Sequence, residues 1–169
     1  MFGFRRAVSA LIRTEIVRSM ADFTQHADIS CLEHCLLVAY VSYRLCRLLR
    51  LNASSAARGG LLHDFFLYDW HNKNVREDLC SGIGSLHGFT HPDTALKNAL
   101  EYFDLSDMEQ DIIARHMWPL TIKLPRYRET LIVSIADKIC TFLEITRLCR
   151  LMKMSRVMQL SRKEWAKVG

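Results

Sequence analysis

Between Ser30 and Arg50 the apolar residues return every three or four positions, and the side chain that opens this stripe is a histidine: His34 lines up with Val38, Val41, Leu45 and Leu48. That period places all five on one helix face, the face a helix of a globular protein buries. A polar ring on a buried stripe restricts the fold severely, because a buried polar group without a partner costs several kcal/mol. The pattern recurs along the chain. His63 follows Ala56 and Gly60 and precedes Leu67, His116 follows Ile112 and Ile113, and Asp137 lies between Val133 and Cys140. Asp64 adjoins His63, and His91 adjoins Pro92. On a helix the neighbours His63 and Asp64 diverge by about 100°, an angle from which two side chains still grip one ion between them. The inward carboxylates need a counter-charge. Arg or Lys would serve either one alone, but inward histidines surround both, and a metal ion satisfies the whole group together. Any one of these residues, taken singly, is more commonly a hydrogen-bonded core residue; the constellation on successive helices is what points to metal.

The dominant period is helical throughout, with no alternating strand, no internal repeat and no low-complexity linker. A first helix is expected over about 4–22. Ser30 with Glu33 forms a capping-box pattern that opens the next helix, running to about Arg50. A third covers about 53–68, followed by a loop with Asn72, Asn74, Gly82 and Gly84. Pro92 opens a fourth, and Ser106 with Glu109 caps a fifth that stops before Pro119. Beyond Pro125 a long helix starts near Glu129 and reaches the tail. The expectation is one all-α bundle over 1–169, with its core at about 26–145.

The composition agrees with this. The 169 residues are 50% hydrophobic, with 7 Gly and 3 Pro, which suits a globular domain with a real core. No apolar run approaches the roughly 18 residues of a membrane span, and the opening MFGFRRAVSALIRTEIVRSM does not read as a signal peptide. Cys31, Cys35, Cys46, Cys80, Cys140 and Cys149 form no CxxC pair. They read as buried free thiols of a reducing cytoplasm, and Cys31, His34 and Cys35 lack the second pair a zinc finger needs. The formal charge of +5 is uneven. Residues 147–169 hold Arg147, Arg150, Lys153, Arg156, Arg162, Lys163 and Lys167 against Glu164 alone, a basic tail that is either a solvated face or a contact for an anionic partner. The apolar face of the first helix either packs on the domain or pairs with a second copy as a homodimer.

His34, then His63-Asp64 in GGLLHD, then His91-Pro92, then His116, then Asp137-Lys138 in IADK resembles the HD superfamily of metal-dependent phosphohydrolases. The resemblance implies a helical bundle with a metal site at its centre. In the plain pattern His34, His63, Asp64 and Asp137 hold one ion. The additional His91 and His116 resemble the two-metal branch, in which Asp64 bridges to a second. Ligands of nitrogen and oxygen without thiolate suit Fe, Mn, Co or Ni as well as Zn. Two such ions would bind a phosphate, generate hydroxide at neutral pH and stabilise the leaving oxygen. The implied activity is hydrolysis of a phosphomonoester or phosphodiester, with a small nucleotide as the expected substrate; a dinucleotide polyphosphate is one form of it.

The chain departs from the family where many members read HD-Ile-Gly-Lys, whose lysine can contact phosphate. Here Phe65, Phe66 and Leu67 follow Asp64. Lys73, Arg76, Arg115 and Lys138 are the candidates to replace that contact, and for Lys73 and Arg76 a surface role is the simpler reading. The GYP signature of cyclic di-GMP phosphodiesterases is missing after His116, where MWPLTIKLP stands. His87 is an alternative to His91 as ligand and a candidate catalytic or substrate contact, beside Asp64 and Lys138. His26 lies before the His34 helix and reads as a loop residue. Tyr68, Trp70 and Trp118 are candidates to stack on a base, with core packing the simpler role. Two other functions use the same ligands: a di-iron oxygenase, and a degenerate module that binds without catalysis. Retention of all six ligands argues against the second.

Overall fold

The structure, a computed structural model, describes residues 2–26, 29–67 and 87–146; the side chains of His26 and of residues 87–90 lie outside the described set. In chain order it runs α1 (Phe2–Ile12), α2 (Glu15–Arg18), a 3-10 turn (Ser19–Asp22), β1 (Thr24–His26), β2 (Ile29–Ser30), α3 (Cys31–Leu48), α4 (Ala53–Leu62), α5 (His87–Tyr102), α6 (Asp107–Arg115) and α7 (Arg128–Ile145). The all-α expectation holds. Both capping boxes form: the hydroxyls of Ser30 and Ser106 accept from the backbone N–H of Glu33 and Glu109 at 3.3 and 3.4 Å, and each glutamate accepts in return from the serine N–H.

Several expected boundaries shift. The single first helix is broken at Arg13–Thr14, because the Thr14 hydroxyl donates to the Leu11 carbonyl at 2.7 Å and takes an acceptor that a continuing helix would use. The predicted third helix ends at Leu62, with His63 as its C-cap, so Asp64 stands beyond the helix. Pro92 sits inside α5 rather than at its start. A proline lacks the N–H, so α5 forgoes one bond there, which a helix tolerates best near its N-terminus. The short antiparallel ribbon of β1 and β2, Thr24 opposite Ser30, was not legible as strand. Leu45 is partly exposed and Leu48 is 79% exposed, so the stripe from His34 drifts out of the core, and Ser42, Tyr43 and Cys46 are buried instead. Spacings of 4 and 3 average 3.5, whereas a straight helix turns every 3.6, a drift of about 20° per heptad.

α3 is the central element, packed on α4 and α7; α4 also packs on α1 and α6, and α6 on α5 and α7. One apolar cluster includes Phe4, Val8, Leu11, Leu32, Leu36, Leu61, Phe65, Phe66 and Ile113, so the apolar face of α1 is spent on the domain itself. A second includes Leu37, Val38, Ala56, Ile112, Val133, Ala136 and Cys140. Burying a phenyl ring such as those of Phe65 and Phe66, 0% and 2% exposed, contributes about 1.5–3 kcal/mol each. Cys31, Cys35, Cys46 and Cys140 are buried free thiols, as expected.

Two glycines let α4 reach both neighbours. A Cβ on Gly60 would lie 3.2 Å from the Ala39 Cα of α3, and one on Gly59 would lie 2.7 Å from Ile112 Cγ2 and 2.9 Å from Ile112 Cβ of α6. Gly59→Ala is therefore expected to lower the melting temperature. The gain in helix propensity is about 1 kcal/mol, whereas overpacking a fixed core costs about 1–3 kcal/mol. A variant that melts at or above the parent temperature would show that α6 yields freely here.

Candidate metal centre

The ends of the helices build the site. His34 projects from the first turns of α3, His63 and His116 are the C-caps of α4 and α6, His91 lies in the early part of α5, and Asp137 is midway along α7. All six predicted ligands are buried, from 0% exposed for His34 and His63 to 8% for Asp137. The break at the end of α4 matters here. Asp64, the residue after the His63 C-cap, lies at the centre of the group.

Asp64 faces a different pair of imidazoles with each oxygen. Its Oδ2 lies 3.4 Å from His63 Nε2 and 3.9 Å from His34 Nε2. Its Oδ1 lies 3.2 Å from His91 Nε2 and 3.5 Å from His116 Nε2. Asp137 closes the first side, with Oδ1 at 3.3 Å from His34 Nε2 and 3.7 Å from His63 Nε2. On the second side His91 Nε2 and His116 Nε2 are 3.0 Å apart. Two groups of donors result, His34 with His63 and Asp64, and Asp64 with His91 and His116, each gathered within 4.8 Å.

The outer nitrogen of three of these rings is held by an acceptor. His63 Nδ1 is 2.8 Å from the Gly60 carbonyl, and His116 Nδ1 is 2.9 Å from the Ile113 carbonyl. Both are last-turn carbonyls that a helix end leaves without an intrahelical donor, so each histidine caps its own helix. His34 Nδ1 is 2.8 Å from Glu144 Oε2. An acceptor at Nδ1 fixes the proton there and turns the Nε2 lone pair inward, which is the state in which imidazole binds a metal.

The electrostatics follow from this crowding. Burial alone would lower the His34 pKa, but hydrogen bonds to Asp137 and Glu144 outweigh it and raise it well above the ordinary histidine value. For His63 burial again pulls down, and the Asp64 charge with the hydrogen bond to Asp137 raises the value well above the ordinary one. Burial would raise both aspartates; His63 and His91 instead hold Asp64 far below the carboxylate range, and His34 and His63 do the same to Asp137. His116 is pushed down to about 3 by burial and by the neighbouring His63. Positive charge thus gathers on the first group while His116 stays a neutral ring. Nε2 of His63 and Oδ1 of Asp64 are fully buried without a hydrogen bond among the described residues. Inward donors of this kind, nitrogen and oxygen only, fit a divalent metal.

One neighbour was not anticipated. Gln25, 6% exposed on β1, donates from Nε2 to Asp64 Oδ2 at 2.6 Å. Nothing in its local sequence marks it, since only the β1–β2 ribbon, itself unexpected, brings it over the site. Glu144 was also missed. Among the other candidates, Lys138 donates to the His116 carbonyl at 3.0 Å and Ser134 Oγ at 3.3 Å, with Asp137 Oδ2 at 3.5 Å. Arg115 is tied to Asp111 at 2.7 Å and to the Leu124 carbonyl at 2.6 Å. Leu67 holds the place of the family lysine and packs partly buried against the core. Trp118 is half-buried. The side chains of His26 and His87, and Tyr68, Trp70, Lys73, Arg76, Cys80, Cys149 and the basic tail, lie outside the described residues.

The HD domain family model matches residues 31–141, the span that carries all six of these inward side chains. The chain belongs to the HD-domain family, a superfamily of the metal-dependent phosphohydrolase type. No curated protein and no solved structure matches the chain. No helix among the described residues is long and apolar enough to cross a membrane.

Proposed function

We propose that the chain is a phosphohydrolase that holds two divalent ions and cleaves a phosphomonoester or phosphodiester of a small nucleotide. The observation that carries this reading is the division of Asp64 between two pairs of imidazoles, His34 and His63 on Oδ2, His91 and His116 on Oδ1. A carboxylate shared in that way suits a bridge between adjacent ions. His34, His63, Asp64 and Asp137 would hold the first, and Asp64, His91 and His116 the second, with Fe, Mn, Co, Ni or Zn all compatible with the donors. When bound, a pair of such ions supplies the acidity that makes water a nucleophile at neutral pH and the positive charge that a phosphoryl group needs.

The residues around the ions have separate tasks. The Gly60 and Ile113 carbonyls orient His63 and His116, and the C-terminal ends of α4 and α6 direct partial negative charge toward the cations. Gln25 holds the Asp64 oxygen on the side of His34 and His63. Lys138 is the described candidate for a phosphate contact, its side chain being 36% exposed; to reach a substrate it would exchange its bond to the His116 carbonyl for one to phosphate. His87 is a candidate substrate contact on the α5 side.

Uptake of the first ion is expected to release protons at neutral pH, because His34 and His63 have raised values in the ion-free protein and a metal must displace the proton at Nε2. Below the raised values the proton competes with the ion, so affinity rises with pH. Calorimetric titration in buffers of different ionisation heat should show about one to two protons released per ion; heats independent of the buffer would contradict this. The activity itself is tested with a panel of phosphomonoesters, nucleotides and dinucleotide polyphosphates, with Mn or Fe supplied. Phosphate release that a chelator abolishes is expected. Two bound irons with oxygen uptake and no phosphate release would replace the hydrolase by an oxygenase.

A further inference from the structure

Glu144 is 1% exposed on α7, two turns beyond Asp137, and it is hydrogen-bonded to one ring: Oε2 lies 2.8 Å from His34 Nδ1, while Oε1 makes no hydrogen bond among the described residues. A carboxylate buried this deeply carries a large desolvation cost, which its one hydrogen bond offsets only when positive charge stands on or behind the His34 ring. Arginine and lysine, the usual partners, are not in contact with it among the described residues. His34, however, presents its other nitrogen to Asp137 at 3.3 Å and to Asp64 at 3.9 Å. Positive charge placed at that nitrogen reaches Glu144 through the ring.

We infer that Glu144 is a positioning residue for the first ion, acting through His34: it accepts the Nδ1 proton, fixes the ring so that Nε2 faces the ion, and supplies a third buried carboxylate to balance the cations. The inference rests on the two-ion reading above and adds to it an asymmetry. His63 and His116 are oriented by neutral carbonyls, whereas His34 alone among the three is oriented by a carboxylic group. Removing Glu144 therefore weakens the first ion and spares the second, which depends on Asp64, His91 and His116.

The test uses the full chain and its Glu144→Leu and Glu144→Gln variants, loaded with Co²⁺ and titrated against a competing chelator while the visible spectrum is recorded. An outer-sphere partner of a ligating histidine is worth about 10–100-fold in affinity, so Glu144→Leu is expected to lose that factor at one ion only, with a changed ligand-field spectrum for that ion. Glu144→Gln keeps an acceptor oxygen and is expected to restore most of the affinity. The melting temperature of the ion-free Glu144→Leu protein is expected to fall only by a few degrees, since the loss of the acceptor at His34 Nδ1 is partly offset by removal of a desolvated carboxylate. Unchanged affinity at both ions in Glu144→Leu would overturn the role, and so would an equal loss at both ions with a far lower ion-free melting temperature, the mark of a merely structural residue. Parent protein that takes up no Co²⁺ would instead contradict the two-ion reading, and the inference with it.

Discussion

Asp64→Ala is expected to empty the centre of both ions and bring phosphate release down to the assay background. Each of its oxygens faces a separate pair of imidazoles, at 3.4 and 3.9 Å on one side and 3.2 and 3.5 Å on the other. The first group would keep His34, His63 and Asp137, but without the carboxylate that brings His63 and the second group to one point. The second would keep two imidazoles and no carboxylate at all, too little to retain a divalent cation against water. Asp64→Asn preserves the side-chain shape and separates charge from packing; it should fold as the parent does and still lose most of its metal. Elemental analysis of the purified variants decides the matter, with helical circular dichroism as the check on folding. Full metal content in Asp64→Ala would remove the bridge from the account.

The second large effect is selective. His116→Ala is expected to lose the second ion and nearly all hydrolysis while keeping the first ion and the fold. His116 is buried yet held near a pKa of about 3, so at neutral pH its removal strands no charge. What departs is an uncharged ring whose Nδ1 served the Ile113 carbonyl, and the backbone carbonyl of residue 116 still accepts from Ser134 at 2.6 Å and from Lys138 at 3.0 Å. The cavity left behind costs a few kcal/mol at most, on the scale of about 2–5 kcal/mol for large-to-alanine core changes. One ion per chain with a cooperative melt is the expected outcome. An unfolded variant would assign His116 to structure rather than to metal.

The site was legible in the sequence to the extent that helix periodicity carries it. His34, Asp137 and the two serine caps follow from spacing, and His63-Asp64, His91 and His116 follow from recurring inward placement together with the family pattern. Their meeting point was legible only in part. Asp64 lies just beyond α4, which stops at Leu62, a boundary that spacing does not encode. Glu144 did leave a signal: Val133, Asp137, Cys140 and Glu144 share one stripe of α7, and all four are buried. The opposite face of that helix, with Leu131, Ile135, Ile139, Phe142 and Ile145 exposed, is equally apolar, and so the stripe does not stand out from composition. Gln25 left none, because its position depends on the pairing of β1 with β2, a ribbon of a few residues. The broken first helix is a case of local chemistry, a threonine hydroxyl on a backbone carbonyl, overriding an apolar period.

The most direct test is the metal content of the full chain, purified without chelator and measured per mole of protein by elemental analysis. Two transition-metal ions per chain, falling to one in His116→Ala and to none in Asp64→Ala, is the result predicted here. Protein that carries no metal, and takes none up when Mn, Fe, Co, Ni or Zn is supplied, would contradict the centre built on Asp64.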